Sequence, residues 1–222
     1  MIVSENFNMI KRVIFDLDDT LIDWQEDYWH KGIIYSCKEL KIEYNKEIEE
    51  KVIDAIDEYE TNEKYFNVER MQEIINKKLN MKLSTDFIKI ILKYFETCVP
   101  KNVDTNIINT LEYLQNKYEL VVLTNWFAYQ QIERLKNAGI YKYFKHVYGT
   151  EDIKMKPDKE AYLTAIGDFS LDECIMIGDN LKIDIDGALA VGLKAIFLNR
   201  KNIEVSKKYI EIKKIDELIK IL

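Results

Sequence analysis

The chain has 222 residues, of which 47% are hydrophobic and 32% charged, and its formal net charge is −7 at pH 7. This length can bury one large core, or one core with an inserted subdomain, and the composition is that of an ordinary globular protein. The acidic balance argues against a nucleic-acid polymer as partner, and no apolar stretch approaches the roughly 20 residues that cross a membrane.

The cysteines and the N-terminus favour the cytoplasm. Cys37, Cys98 and Cys174 are far apart in sequence, and neither histidine lies near one of them. This spacing supports neither a zinc site nor a disulfide framework, so we expect a reducing compartment. Residues 1 to 8 lack a basic region followed by an apolar one and predict a short extension rather than a signal peptide.

The first predicted strand, Arg12 to Phe15, leads directly into Asp16-Leu17-Asp18-Asp19-Thr20. Carboxylates are costly to bury, so Asp16 and Asp18 at the end of a buried strand indicate a metal, a proton transfer or a nucleophile. The alternative is that two acids simply cap a strand end beside a turn.

The segment from Trp24 to about Phe95 has a helical, amphipathic pattern throughout. Apolar residues recur at spacings of three and four, which is typical of surface helices with one buried side. Four such helices in succession predict a small bundle. The four stripes are Trp29, Ile33, Cys37 and Leu40; Ile48, Val52, Ala55 and Tyr59; Val68, Met71, Ile75 and Leu79; and Phe87, Ile91 and Phe95.

From Asp104 onward the pattern alternates between strands and helices. Short continuous apolar runs at 120–123, 174–177 and 195–198 are separated by helical patterns at 107–118, 132–138, 161–166 and 185–191. This alternation predicts an α/β fold with a parallel sheet and helices on both faces. The first strand belongs to the same sheet, so the predicted core is discontinuous, with residues 1–21 and 104–222 in the core and 22–103 in a helical insertion.

Two further polar motifs lie in this half of the chain, one after the second predicted strand and one at the start of a later predicted helix. Thr124-Asn125 directly follows the strand 120–123, where the pair could also serve as a helix N-cap. Lys156-Pro157-Asp158 precedes a predicted helix, and proline is common in a first helical turn. Lys154, two residues earlier, is the alternative lysine. Open parallel sheets bind ligands beyond the carboxyl ends of their strands, so we expect these residues near Asp16.

A last motif, Gly178-Asp179-Asn180, ends the strand 174–177, and Asp184 follows five residues after Asp179. Paired acids repel each other unless a cation lies between them. Magnesium fits this role because it prefers oxygen ligands and commonly joins a carboxylate to a substrate phosphate.

With these four motifs in this order, the chain resembles the haloacid dehalogenase (HAD) superfamily, and the helical insertion resembles the four-helix cap of one subclass. The resemblance implies a Rossmann-like core. It makes Asp16 the nucleophile that forms an aspartyl-phosphate and Asp18 the general acid and base. Thr124, with Asn125 in support, and Lys156 would hold the phosphate.

The same resemblance implies a Mg²⁺ ion bound by the Asp16 carboxylate, the backbone carbonyl of Asp18 and Asp179. Asp184 would bind the ion through water or orient Asp179. The acid at position 18 favours a phosphate ester over a carbon–halogen bond, because a halide leaves without a proton. We therefore expect a magnesium-dependent phosphatase acting on a small phosphorylated metabolite, as a monomer or homodimer.

Substrate choice is expected to depend on the cap, with Asp23, Trp24 and Tyr28 as candidate specificity residues. The region from Leu123 to Asp158 resembles pyrimidine 5'-nucleotidase-like phosphatases, while sugar-phosphate, phosphoglycolate and acylated amino-sugar phosphate substrates stay open. A phosphosugar mutase, which is an isomerase of the same fold, is an alternative function. A non-catalytic binding protein is a third, although it would be expected to have lost one of Asp16, Asp18, Lys156 and Asp179.

Overall fold

The structure, a computed structural model, describes residues 7–205 and 209–222, and these form a six-stranded, fully parallel sheet. The strand order is β3-β2-β1-β4-β5-β6. This architecture confirms the predicted α/β fold. The strands are β1 (Arg12–Phe15), β2 (Glu119–Leu123), β3 (His146–Tyr148), β4 (Cys174–Gly178), β5 (Lys194–Leu198) and β6 (Ile210–Ile212).

Helices cover both faces of the sheet. Successive residues of a strand point to opposite sides, so each buried strand has apolar side chains on both faces that the helices cover. Val13 and Phe15 of β1 belong to one apolar cluster and Ile14 to another. The first cluster includes residues of α5 (Thr105–Gln115), α6 (Ala128–Asn137) and α9 (Leu218–Ile221). The second includes residues of α7 (Lys159–Ile166) and α8 (Gly187–Ala190).

Four helices lie between β1 and α5, where the four apolar stripes predict them. We call them the inserted helices: α1 (Tyr28–Glu39), α2 (Lys46–Asn62), α3 (Val68–Leu79) and α4 (Asp86–Phe95). Asn45 and Asn67 cap α2 and α3 through side-chain oxygens that accept from backbone N–H groups. The inserted helices share an apolar cluster that also takes in Phe127, just after β2, so they pack against the carboxyl-terminal edge of the sheet. Their division from the core as a domain of residues 22–103 stays a prediction.

Some short elements were not predicted or differ from the predicted pattern. The strands β3 and β6 are three residues long and lie at the two edges of the sheet. The predicted helix at 185–191 is a turn of π-helix, Leu181–Asp186, followed by the short α8. Elements this short carry too few residues for a periodic pattern.

The N-terminal extension predicted for residues 1 to 8 falls mostly outside the described residues, and Phe7 packs against the core. None of the helices in the described ranges is both long and apolar enough to span a bilayer.

Candidate active site

One cavity of about 440 Å³ lies beyond the carboxyl ends of the central strands. Asp16, Thr124 and Asp179 are each the first residue after β1, β2 and β4, and β1 lies between the other two strands. All three line the cavity, as do Asp18, Trp24, Asn125, Lys156 and Asp184. The structure therefore brings together residues from all four sequence motifs.

Lys156 lies between two acidic side chains at the bottom of the site. Its Nζ atom is 2.7 Å from Asp16 Oδ1 and 2.7 Å from Asp184 Oδ1, and only 2% of its side chain is exposed. Asn125 fixes the backbone of Lys156, since its Oδ1 accepts from Lys156 N at 2.7 Å and its Nδ2 donates to Lys156 O at 2.9 Å. Lys154 instead pairs with Glu160 at 2.6 Å, so Lys156 is the lysine of this site.

The ionisation of Asp16 and Lys156 is linked. Burial raises the pKa of Asp16, the Lys156 cation opposes that rise, and the Asp184 carboxylate adds to it. Burial also works against the charged form of Lys156, but the carboxylates of Asp16 and Asp184 outweigh it and raise the pKa of the lysine. Thr20 completes the surroundings of Asp16 by donating from its hydroxyl to Asp16 Oδ2 at 3.1 Å. The net effect raises the pKa of Asp16 to about 8, so this site holds a desolvated carboxyl group beside a fixed positive charge.

Three carboxylates form a cluster that could hold a metal ion. Oxygens of Asp16, Asp179 and Asp184 lie within 4.8 Å of one another. The pKa of Asp179 is raised to about 6, chiefly by burial and then by the neighbouring charges of Asp184 and Asp19. Hard oxygen donors that repel one another are the ligand set that Mg²⁺ prefers, so the residues fit this ion.

The position of Asp184 depends on the turn of π-helix that carries it. The side chain of Asn180 caps that turn by accepting from Lys182 N and Ile183 N, and Asn180 N donates to Asp184 Oδ2 at 3.0 Å. Gly178 permits the close approach, because a Cβ atom at this position would lie 2.3 Å from Asp184 Oδ2. The cluster therefore requires a residue without a side chain at the end of β4.

Asp18 lies in the same cavity and is held by two residues of α6. Arg134 Nη1 forms an ion pair with Asp18 Oδ1, and Gln131 Nε2 donates to Asp18 Oδ2 at 2.7 Å. The amide of Gln131 also donates to Thr124 Oγ1 at 3.1 Å. The first and second motifs are thus connected through a single side chain.

Residues 13–198 match the family model described as haloacid dehalogenase-like hydrolase. The chain belongs to the haloacid dehalogenase-like hydrolases. This membership agrees with the resemblance that the four motifs indicate.

Several curated proteins resemble this chain. The HAD-hydrolase YfnB of Bacillus subtilis is 34% identical over 117 residues, which are 49% of each chain. Pyrimidine 5'-nucleotidase PynA of Streptococcus pneumoniae is 33% identical over 95 residues, 41% of this chain and 40% of that protein. This chain thus spans half or less of the length of these two relatives. Glyceraldehyde 3-phosphate phosphatase of Methanothermobacter thermautotrophicus is 25% identical over 211 residues, 91% of this chain and 92% of the relative.

The crystal structure of YfnB bound to magnesium has the same fold. It superposes with a TM-score of 0.67 at 21% identity and covers 96% of this chain and 98% of YfnB.

The three candidate specificity residues of this chain occupy different places. Trp24 lines the cavity together with Trp29 and Trp126. Tyr28 is buried and packs edge-on against Trp24, with ring centroids 5.1 Å apart. Asp23 has a side chain that is 81% exposed and pairs with Arg200 at 3.2 Å. Their roles in substrate choice stay predictions.

Sequence reasoning missed several residues of this site, among them Gln131, Arg134, Glu60 and Trp126. Gln131 and Arg134 are spaced i,i+3 on the helix that follows Thr124-Asn125, and that spacing was the available signal for a shared polar contact. Glu60, near the end of α2, and Trp126 also line the cavity. Glu60 has no signal in the sequence, because which part of an inserted helix faces the sheet depends on the tertiary packing. Trp126 directly follows the Thr124-Asn125 motif, and that adjacency was its only signal.

Proposed function

We propose that the chain is a magnesium-dependent phosphatase that hydrolyses small phosphomonoesters through an aspartyl-phosphate on Asp16. The observation that carries this proposal is the buried Lys156 ammonium between Asp16 and Asp184, beside a cluster of three carboxylates. A cation is needed there because both the nucleophile and the phosphate are negative.

In the first step a carboxylate oxygen of Asp16 attacks phosphorus and the ester P–O bond breaks. The proton of a protonated Asp18 passes to the leaving oxygen, which departs as an alcohol. Thr124 and Lys156 hold the phosphoryl oxygens while the group moves, with Asn125 in support through its two bonds to the backbone of Lys156. Bound Mg²⁺ at Asp16, Asp179, Asp184 and the carbonyl of Asp18 would neutralise negative charge that develops on the phosphoryl oxygens.

In the second step water attacks phosphorus of the aspartyl-phosphate. Asp18, now a carboxylate, takes a proton from this water, and the acyl P–O bond breaks. Inorganic phosphate leaves, and Asp16 and protonated Asp18 are restored. Dividing the hydrolysis in this way replaces one difficult displacement by two easier ones.

For the substrate, we propose a nucleoside 5'-monophosphate with a pyrimidine base. The similarity to a protein named pyrimidine 5'-nucleotidase supports this choice, and so do the aromatic rings of Trp24, Trp29 and Trp126 in the cavity wall, on which a base can stack. The inserted helices would then act as a cap that excludes water from the occupied site.

The test of the proposed function measures free phosphate released from 4-nitrophenyl phosphate and from uridine 5'-monophosphate. We expect release to require Mg²⁺, to stop in excess chelator and to return when Mg²⁺ is restored. Release must also proceed without an added sugar bisphosphate, which a mutase of this fold would need. Full turnover in metal-free buffer would contradict the proposed metal site.

A further inference from the structure

We propose that Arg134 is a positioning residue that, with Gln131, fixes the carboxylate of Asp18 and connects it to both chain segments joining the sheet to the inserted helices. The inference rests on the proposed phosphatase function, in which Asp18 gives a proton in the first step and takes one in the second.

Both oxygens of Asp18 are engaged by donors from α6. Oδ1 pairs with Arg134 Nη1 and Oδ2 accepts from Gln131 Nε2 at 2.7 Å. The two donors are themselves connected, since Arg134 Nη1 donates to Gln131 Oε1 at 2.8 Å. Charge-assisted bonds of this kind restrict the orientation of a carboxylate, and rotation of Asp18 would break at least one of them. The carboxylate therefore has a defined position in the cavity.

Arg134 also contacts the two chain segments that join the inserted helices to the sheet. Its Nε and Nη2 atoms each donate to the carbonyl oxygen of Cys98 at 3.3 Å, in the segment between α4 and α5. Its guanidinium carbon lies 5.1 Å from the ring centroid of Trp24, in the segment between β1 and α1. A displacement of the inserted helices relative to the sheet must change these contacts. One buried side chain thereby couples that displacement to Asp18.

A purely structural role for a buried arginine is the alternative, and the chain contains a matched example. Arg12 is also buried, pairs with Glu119 and donates to the carbonyls of Ala165 and Ile166 at 2.7 and 2.9 Å. It lies at the start of β1, whereas Asp16 follows the end of that strand. Replacing either arginine removes comparable buried bonds, but only one of them reaches Asp18.

The experiment compares Arg134→Lys, Gln131→Leu and Arg12→Lys with the wild type on two substrates. 4-Nitrophenyl phosphate has a leaving group that needs little protonation, whereas glycerol phosphate needs a proton from Asp18. General acid–base catalysis is worth about 10²–10⁴-fold, so loss of positioning should remove part of it. We expect Arg134→Lys to lower the alkyl-to-aryl rate ratio by about 10-fold and Gln131→Leu to lower it less.

A second readout follows from the role of Asp18 in the water attack. During turnover of the aryl ester, Arg134→Lys should accumulate phosphoenzyme, seen by intact mass as an added phosphoryl group. Arg12→Lys should lower the temperature of unfolding yet leave the rate ratio and the phosphoenzyme level unchanged. If Arg134→Lys does not fold, Gln131→Leu gives the same readouts with the buried ion pair intact.

The outcomes separate the two proposals. If the Arg134 and Gln131 variants keep the wild-type rate ratio and phosphoenzyme level, the positioning role is overturned while the phosphatase function stands. If the wild type releases no phosphate from either ester in Mg²⁺, the proposed function fails and this inference fails with it.

Discussion

At the scale of single residues, Lys156 has the most demanding environment in the site. A buried ammonium loses its hydration, and it is stable here because the carboxylates of Asp16 and Asp184 each lie 2.7 Å away. Removing one member of such a group leaves uncompensated buried charge, which is far more destabilising than losing a surface pair. Stability and catalysis are therefore expected to depend on the same nitrogen atom.

This dependence predicts opposite outcomes for two neighbouring lysines. Lys156→Met should reduce phosphate release to background and lower the free energy of unfolding by about 3–5 kcal/mol, because two buried carboxylates lose their partner. Lys154→Met removes a pair with Glu160 that is partly exposed, so it should change stability by less than about 1 kcal/mol and leave turnover intact. Denaturant unfolding and steady-state kinetics measure both effects. Substantial turnover by the Lys156→Met variant would contradict the role of Lys156 in the active site.

At the scale of elements, the ends of β1, β2 and β4 position Asp16, Thr124 and Asp179. The turn after β4 positions Asp184 relative to them. Asp184 reaches the cluster because Gly178 leaves room for its side chain. The proposed metal site thus depends on a residue that offers no ligand of its own.

Gly178→Ala should therefore displace Asp184 and weaken Mg²⁺ binding. We expect a rise in the Mg²⁺ concentration needed for half-maximal activity and a loss of turnover of 10-fold or more, by analogy with the roughly 10–100-fold losses seen when groups that orient ligands are changed. Gly139→Ala is the control, since a Cβ there meets no atom within 4 Å although φ is +74°. It should be less stable through backbone strain, with an unchanged Mg²⁺ requirement. Equal Mg²⁺ requirements in both variants would contradict the role given to Gly178.

The sequence allowed more to be predicted about long elements than about short ones. The stripe Ile48, Val52, Ala55 and Tyr59 repeats often enough to indicate α2, whereas three-residue β3 and β6 contain no repeat. The residues of the four motifs could be placed because parallel strands end at the same edge of a sheet. Arg134 could not, because an arginine on a helix is usually exposed, and its burial against Asp18 arises from tertiary packing.

At the scale of the whole molecule, the inserted helices contribute a titrating group to the cavity. Glu60 of α2 lines the cavity wall while keeping contact with water. Its pKa is raised from 4.5 to about 7, chiefly by burial and further by the charge of Asp57. Between these two values the folded state holds a proton that the unfolded state has lost, so stability falls as pH rises through the window.

Glu60→Gln should therefore stabilise the protein above pH 7 and have little effect below pH 4.5. The gain should be on the order of 1 kcal/mol, because contact with solvent screens the charge. Glu47→Gln on the same helix is a control of opposite sign, since the bond from Lys51 lowers the pKa of Glu47. The stabilising contribution of the Glu47 side chain is present above pH 4.5 and is lost as pH falls, so Glu47→Gln should remove it. Unfolding free energies across this pH range test both variants, and a gain at low pH for Glu60→Gln would contradict the raised pKa of Glu60.

In the proposed mechanism, Asp16 carries the phosphoryl group and Asp18 moves the protons. The most direct measurement is intact mass during turnover of 4-nitrophenyl phosphate in Mg²⁺, for Asp16→Asn and Asp18→Asn. Asp18→Asn keeps the nucleophile but slows the water attack, so it should gain the mass of one phosphoryl group. Asp16→Asn should gain none and turn over at background. A phosphorylated Asp16→Asn, or near-full turnover by that variant, would contradict the assignment of the two roles.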